Sequence, residues 1–410
     1  MTFKYGVRSI NDLAPGELTI SHFPEIAAEH RPLLRGWSRP MARFTRDHRQ
    51  KVLYRFGPTI TEPGIAERWQ DFEARYRSQK RLDTFWMTAI HDVIVEPRLL
   101  TVLSDGHFVH ENVRPATDFP KLFRGIDGQD IKRVVDSPSE RFDSDVAFVP
   151  TTTVDEAFLL GSGIYRNYYN WTVRYASRLR IFKSLPPHVK LLIPPMKPHI
   201  RGSLALHNIK LRRVVSVQKP VFVRTLHLCS PSSIGRHELS PQLVLGLRRP
   251  PQPKDGEAPT AKRLFIPRVG VKVRRVINEA EVIDALAKLG FKTFDCAQHS
   301  VTEQARAFHA AEMIVGTHGA GFANIVYSRP GTAVVEIIPE GYDQGVTSYR
   351  SLADHFRLKY VPRFAKEAAP DPKGNRCNSD IRIDIKELVR TVAHLAKTRA
   401  AGDGSPGDGT

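Results

Sequence analysis

Apolar runs and helix-period stretches alternate along the second half of the chain. Arg263–Pro267 reads as a strand, and Asn278 then stands where a helix N-cap belongs, with Glu281 three residues on. Val282, Leu286 and Leu289 recur at i, i+4 and i+7, so one helix face is apolar until Gly290 stops it. Phe291–Phe294 is a second strand. Ser300 and Glu303 form a capping-box pair that opens a helix through Ala311. Met313–Val315 and Thr332–Ile338 are further strands. Strands and helices alternating over short connections predict a doubly wound unit with a parallel sheet.

The first half is patterned more weakly. Ile90–Val95 and Leu99–Leu103 read as short strands, with Asp105-Gly106 as a turn. Ala157–Leu160 reads as a buried strand leading through Gly161-Ser162-Gly163 into a helical stretch from Asn167 to Lys183. Val189–Ile193 is another strand, closed by Pro194-Pro195. This predicts a second parallel, helix-flanked sheet. Residues 249–260 are proline-rich and polar, a linker or exposed loop. The tail from Ala400 has nothing to bury and is expected to be disordered.

At 410 residues the chain calls for two domains. Its net charge of +18 favours polyanionic partners. Much of that charge lies early: Arg31, Arg35, Arg39, Arg43, Arg46, Arg49, Lys51 and Arg55 surround one acid, Asp47. That face suits solvent, an anionic membrane surface or a phosphate-bearing acceptor. A nucleic-acid role lacks a zinc spacing, an aromatic RNA-binding pattern or a reading helix, so no nucleic-acid partner is expected. The three cysteines are far apart, which fits a reducing compartment. Neither a signal peptide nor an apolar run of about 18 residues is read.

The stretch Thr317-His318-Gly319-Ala320-Gly321-Phe322-Ala323-Asn324 follows the apolar run Met313-Ile314-Val315. In a doubly wound unit that is the carboxyl end of a strand, where ligands bind. Glycines there let backbone approach a ligand, and a helix beginning near Ala320 turns free N–H groups and its positive end toward an anion. His318 can donate to a phosphoryl oxygen, and Glu336, on the next strand, can grip ribose hydroxyls. Arg268 closes the strand before, with Arg274, Arg275 and Asn278 in the following loop. Guanidinium groups so placed neutralise a diphosphate and stabilise its departure.

The segments RLFIPR, RRVINEAEV, Glu303-Gln304 and IVGTHGAGFANIVYSRPGTAVVEIIP together resemble the catalytic region of family 61 glycosyltransferases. The resemblance is close over residues 260–340, looser over 85–200 and absent from the first 80. It implies an α/β fold of two Rossmann-like domains facing a cleft (the GT-B type) and inverting transfer from a nucleotide-sugar, usually UDP-linked, to a glycan or lipid-linked oligosaccharide acceptor. On that plan residues 1–84 are an irregular basic N-terminal extension. Residues 85–235 are an acceptor-side domain, 236–399 a nucleotide-sugar-binding domain with a C-terminal helix, and 400–410 a tail. The resemblance assigns Arg268, Arg274, His318, Gly319, Ala320 and Gly321 to the diphosphate, with Thr317 beside them. It assigns Asn324 to support of that turn and Glu336 to the ribose.

The family often carries Asn-Tyr-Tyr-His-Trp in its first domain, whereas this chain has Asn167-Tyr168-Tyr169-Asn170-Trp171. Asn170 cannot act as a base. Inverting transfer needs one on the acceptor side, and Asp92, Asp155, Glu156 and His91 are the candidates, Asp92 being the choice beside Arg268 and His318. Asn167, Tyr169, Asn170 and Trp171 would line the acceptor side. Asp143-Ser144-Asp145 has the spacing of a metal-binding Asp-x-Asp in a polar run that reads as a solvated turn. With arginines available for the diphosphate, no metal or other cofactor is expected. A bacterial cytoplasmic enzyme of surface or capsular polysaccharide synthesis, peripheral on the inner membrane through its basic start, is the expectation. A catalytically weakened nucleotide-sugar binder is the alternative.

Overall fold

The basic start of the chain is not wholly a separate extension. In the computed structural model its β1 (Phe3–Arg8) and β2 (Leu18–His22) pair into the first sheet. The residues described are 3–8, 18–22, 86–97, 100–104, 107–109, 141–144, 147–161, 165–229, 247, 261–342 and 348–402. They group into two units, one up to residue 247 and one beyond it. The arginine-rich run 31–55, the Asp105-Gly106 turn, Ser162-Gly163, the boundary expected at 235–236, the linker 249–260 and the last eight residues of the tail lie outside the described residues.

The first unit continues with β3 (Trp86–Val95), β4 (Val102–Ser104), β5 (His107–Val109), β6 (Arg141–Ser144) and β7 (Thr152–Leu159). Then come β8 (Lys190–Ile193), β9 (Val214–Ser216) and β10 (Val221–Cys229). The order is β6-β1-β5-β4-β3-β10-β7-β8-β9, with β2 also on β3. The sheet is mixed, which corrects the expectation of an all-parallel one. Strands β3, β4 and β5 are joined by connections of only a few residues, and these permit only antiparallel neighbours. Asp143 and Ser144 lie on β6 rather than in a turn. The part expected from the sequence is real but confined to β9-β8-β7-β10, which are parallel in the order 3-2-1-4. Ile90, Val93, Leu159, Leu192, Val223 and Leu226 form its dry core.

Helical segments carry the crossovers of that parallel part. After β7 the chain winds a π-helical turn (Asn170–Tyr175), a 3₁₀ turn (Ala176–Arg178) and then α1 (Leu179–Ser184). The predicted helix is therefore present but irregular. After β8, α2 (Pro198–Leu206) starts with proline in its first turn, where a missing N–H costs nothing. Both segments begin at strand carboxyl ends, and the strand order reverses between β7 and β10.

In the second unit β11 (Arg263–Ile266), β12 (Lys292–Thr293), β13 (Met313–Thr317), β14 (Ala333–Pro339) and β15 (Lys359–Ala369) are parallel; β16 (Asp380–Arg382) closes the edge antiparallel. Strands β13 and β14 are buried along their whole length, as central strands covered on both faces must be. Helices α3 (Glu279–Ala287), α4 (Val301–Ala310), α5 (Ser348–His355) and α6 (Ile385–Gly402) accompany the strands, and α6 runs through Ala400. Val282 and Leu286 of α3 share one core with Leu388, Val392 and Leu395 of α6. Ser300 and Glu303 cap α4 reciprocally, as their spacing predicts. The parallel strands run in the order 2-1-3-4-5, so the direction of winding switches between β11 and β13. A doubly wound sheet binds its ligand at that point.

Candidate functional site

Arg268 follows β11 and the turn 317–321 ends β13, so both stand at the switch point. The Arg268 backbone is pinned by Glu279 at the start of α3, whose Oε1 accepts the Arg268 N–H at 2.5 Å. The side chain donates to the carbonyls of Val273 (2.7 Å) and Arg274 (3.3 Å). None of its hydrogen bonds among the described residues reaches a carboxylate. Burial, and next to it the Arg274 guanidinium, push the Arg268 group down to about 10. It stays charged at neutral pH, half-buried beside a like charge. Such a pair is completed by an anion.

Arg274 is held in a left-handed conformation at φ 55°, a strain of about 1 kcal/mol or more for a side chain of this kind. The strain persists because residues 274–278 are bound to the last strand region. Arg274 N–H donates to Asn378, Ile277 N–H to Ile381, and Ile381 N–H returns to Arg275. Arg275 lies against Asp380 through its backbone N–H (2.8 Å), Nε (2.8 Å) and Nη2 (2.5 Å). Asn278 is buried and grips both the N–H and the carbonyl of Ile383. Asn278 thus sits at the N-cap position of α3 without capping it, its amide engaged by Ile383, and Arg275 is engaged by Asp380. Both hold the loop that presents Arg274.

The Asp380 carboxyl is held below the usual carboxylate range, first by the Arg275 side-chain hydrogen bonds. A lowered folded-state value contributes stability that is complete above the unfolded value of about 3.9 and is lost as pH falls through the folded one. Urea unfolding of wild type and Asp380→Asn is expected to differ at pH 7 and to converge near pH 2. A gap of the same size at both pH values would count against this linkage.

His318 is buried at the end of β13, its N–H on the Ile337 carbonyl. Its Nδ1 lies 2.5 Å from Glu336 Oε1, and Tyr360 donates its hydroxyl to the other Glu336 oxygen. Glu336 has no exposed surface and holds His318 from behind. Tyr342 packs over the His318 ring with centroids 4.2 Å apart and lies beneath the Arg274 guanidinium at 5.2 Å. Tyr349 meets the other side of the ring and donates to the Gly319 carbonyl at 2.5 Å. These tyrosines and Glu279 complete the site and were not singled out from sequence. Their one visible signal was position: Tyr342 comes just after a strand's carboxyl end, and Glu279 lies in a helix's first turn.

Beneath the turn a 3₁₀ helix runs from Ala320 to Tyr327. Asn324 donates to the Gly321 carbonyl (2.9 Å) and to Gln304 Oε1 (2.7 Å), so it ties the turn to α4. Thr317 is buried, its side chain turned from solvent. Burial pushes the Cys296 thiol, which lies against Gly321, up to about 12, so no thiolate opposes an anion here.

The glycines of the turn differ in what surrounds them. A Cβ on Gly319 would collide with Arg268 Nη1, a Cβ on Gly321 would meet Cys296 Sγ at an ordinary 3.4 Å, and one on Gly316 would press into Phe322 (2.7 Å) and Ile266 (2.9 Å). Gly319→Ala is expected to keep the fold but displace the Arg268 guanidinium, weakening nucleotide affinity about tenfold or more (1.4 kcal/mol per decade). Gly321→Ala should be near neutral, and Gly316→Ala should lower the melting temperature. Equal affinities for Gly319→Ala and Gly321→Ala would contradict this arrangement.

In the first unit the acceptor-side candidates sit at the carboxyl end of β7. Asn167 caps the turn by accepting the Asn170 N–H, and Trp171 is wholly buried. Tyr169 and Asn170 are half-buried. Asp92 is not with them. It is an exposed residue within β3, at φ 50°, where the ladder to β10 skips a pair. His91 bonds Thr225 across that ladder, and Asp155 lies in an exposed pair with Arg224. Glu156 accepts from His188 (2.6 Å) and His227 (2.7 Å). Burial pushes Glu156 up, but the two imidazoles outweigh it and hold it below the usual range, which makes a poor base. These four positions lie along strands rather than at their carboxyl tips, so the mixed sheet separates Asp92 from the site it was expected to join.

The chain is thus α/β in two units, and the second carries an arginine-lined turn at the switch point of a doubly wound sheet, where such sheets bind their ligands. The family model for glycosyltransferase 61 matches residues 106–335, more than half of the chain, and the chain belongs to that family. It is similar to a beta-1,2-xylosyltransferase of Arabidopsis thaliana, 40% identical over 86 residues, which is 18% of this chain and 16% of the relative. Two rice beta-1,2-xylosyltransferases, XAX1 and RCN11, are 32% identical over 137 residues and 33% over 102. XAX1 is covered over 24% of its length, with 32% of this chain; RCN11 over 19%, with 22%. The chain thus spans about a quarter or less of each of these relatives.

Proposed function

We propose that this protein is an inverting glycosyltransferase that moves a sugar from a nucleotide-sugar, probed first as UDP-linked, to a hydroxyl of a glycan or glycolipid. The carrying observation is the Arg268–Arg274 pair at the switch point, two neighbouring cations, the Arg268 guanidinium donating to backbone carbonyls while the Glu279 carboxylate takes only its backbone N–H. A pyrophosphate supplies the missing charge, and in transfer it is the leaving group on which charge develops. The N–H groups opening the 3₁₀ helix at Ala320 add further donors. Glu336 at Nδ1 fixes the His318 ring from behind, and Nε2 is the nitrogen left to meet a phosphoryl oxygen.

The relatives' names make UDP-xylose the first donor to test. Arginines in the place a cation would take suit a reaction independent of divalent metals. A role in surface or capsular polysaccharide synthesis at the cytoplasmic face of a membrane fits the basic charge. No helix of the described residues is long and apolar enough to cross a bilayer. The test is a thermal-shift panel of UDP, GDP and CMP nucleotides followed by transfer assays with and without EDTA. A UDP-specific rise in melting temperature and EDTA-resistant transfer are expected. Absence of any nucleotide shift would end the proposal, and loss of turnover in EDTA with recovery on Mn²⁺ would end its metal-free form. Asn170 favours a second reading, a binder with weakened catalysis; UDP binding without product would select it.

A further inference from the structure

The inference rests on the donor-binding reading above and concerns the base of the nucleotide. Arginines and a turn that hold a pyrophosphate leave the base without a seat. The groups that can seat it all belong to the second unit. The chain leaves β12 at the carboxyl edge of the sheet, beside β11 and Arg268. It then runs along that edge as Phe294–His299, through a 3₁₀ turn at Cys296–Gln298, before α4 begins. Its first residue is still bonded to β11, the Phe294 N–H donating to the Phe265 carbonyl at 2.8 Å.

This segment is tied to the 317–321 turn. Cys296 lies against Gly321. His299 folds back on Cys296, its N–H donating to the Cys296 carbonyl at 3.3 Å. The Gln304 amide donates to the carbonyls of Cys296 and His299, both at 2.8 Å. Its oxygen accepts from Asn324 at 2.7 Å, and Asn324 donates to the Gly321 carbonyl at 2.9 Å. Both amides are buried, so an unbroken chain of hydrogen bonds away from water sets His299 and Gly321 in one fixed relation.

The two rings of the segment are stacked. Phe294 and His299 lie with centroids 4.2 Å apart and planes 8° from parallel. Behind them Phe308 of α4, which has no exposed surface, meets Phe294 edge-on at 6.4 Å. The pile is thus closed on the core side. Phe294 and His299 are each part-exposed, and among the described residues no other ring meets His299. A flat ring backed by a second one offers a planar heterocycle a surface to lie on, and histidine is among the side chains on which nucleobases stack.

We propose that the base of the donor nucleotide stacks on His299, backed by Phe294, while its diphosphate lies on the 317–321 turn and Arg268. The ribose then spans the step between His299 and Gly321. Stacking supplies affinity and sets the register of the nucleotide along the carboxyl edge. Gln304 and Asn324 are positioning residues that hold platform and turn together.

The test separates stacking from phosphate binding. Calorimetry compares UDP, UDP with a dihydrouracil base (which keeps the hydrogen-bonding groups of uracil but is no longer flat) and inorganic pyrophosphate. The wild type is expected to bind UDP about tenfold or more tighter than the dihydrouracil form. His299→Ala should bind UDP about tenfold or more weaker than wild type, lose that gap, and hold pyrophosphate as wild type does. His299→Phe, which keeps a ring over Phe294, should recover most of the loss. In the wild type an NMR Overhauser contact between the uracil ring protons and the His299 ring is also expected. Equal wild-type affinities for UDP and its dihydrouracil form, a gap that survives in His299→Ala, or absence of the Overhauser contact overturns the assignment. The last measurement needs no variant, so it decides the matter even if substitution at 299 prevents folding. A wild type that binds neither UDP nor pyrophosphate overturns the donor reading itself, and is distinguished by that.

Discussion

Replacing Arg268 with methionine is expected to cut sugar transfer by about 10²–10³-fold while leaving the protein at least as stable as before. The two halves of that result have one cause. In the unliganded protein the guanidinium is half-buried, pushed down to about 10 by burial and by Arg274, hydrogen-bonded to backbone carbonyls, and offset only in part by Tyr349, Glu279 and Tyr342. A charge held this way costs folding free energy, and an apolar side chain of similar length removes the cost. The same charge is what the departing pyrophosphate needs. Loss of one preorganised donor at a developing anion lowers turnover by about 10²–10³-fold. Arg268→Lys should recover little, because a point charge cannot span Val273, Arg274 and a phosphate as a planar fork does. Melting curves and transfer kinetics on the same preparations check both halves. A large fall in melting temperature would mean that Arg268 is a structural residue.

Substitution of Glu336 is expected to act in the opposite sense, costing both stability and rate. Its two oxygens accept from His318 and from Tyr360, and it has no exposed surface. Glu336→Ala removes the carboxylate that accepts from both of these buried groups, at about 1–3 kcal/mol each. Glu336→Gln keeps the volume but offers one acceptor oxygen to two donors, His318 and Tyr360, so the hold on the His318 ring is loosened. Turnover should fall by about 10²-fold with little change in donor affinity. A carboxylate gripping the ribose would give a different signature: weaker nucleotide binding in Glu336→Gln, with an unchanged melting temperature. Denaturant unfolding and a comparison of kcat with KM separate the two.

How far the sequence could be read follows from how local each determinant is. The strands of the second unit were legible because they are buried on both faces and so appear as unbroken apolar runs, β13 and β14 most plainly. The Ser300–Glu303 cap was legible because its partners are three residues apart. Asn278 has the same local spacing to Glu281, yet its amide is taken by Ile383, a partner 105 residues away that no local pattern reveals. Arg275 is drawn to Asp380 across the same distance. The arginines, the histidine and the glycine turn were readable from their position after strands. What surrounds His318 was not, because Tyr342, Tyr349 and Tyr360 come from three later elements that only the sheet order brings together. The mixed half of the first sheet was misread for a related reason. Asp92 looked available as a base until β10 was seen to lie beside it, far from the carboxyl edge.

The most direct measurement is a crystal structure of the protein with UDP. The pyrophosphate is expected within hydrogen-bonding distance of the Arg268 and Arg274 guanidinium groups and of the backbone N–H groups of residues 319–321, with His318 Nε2 facing a phosphoryl oxygen. UDP bound on any other face, with Arg268 and the 317–321 turn left as they are in the free protein, would contradict the account.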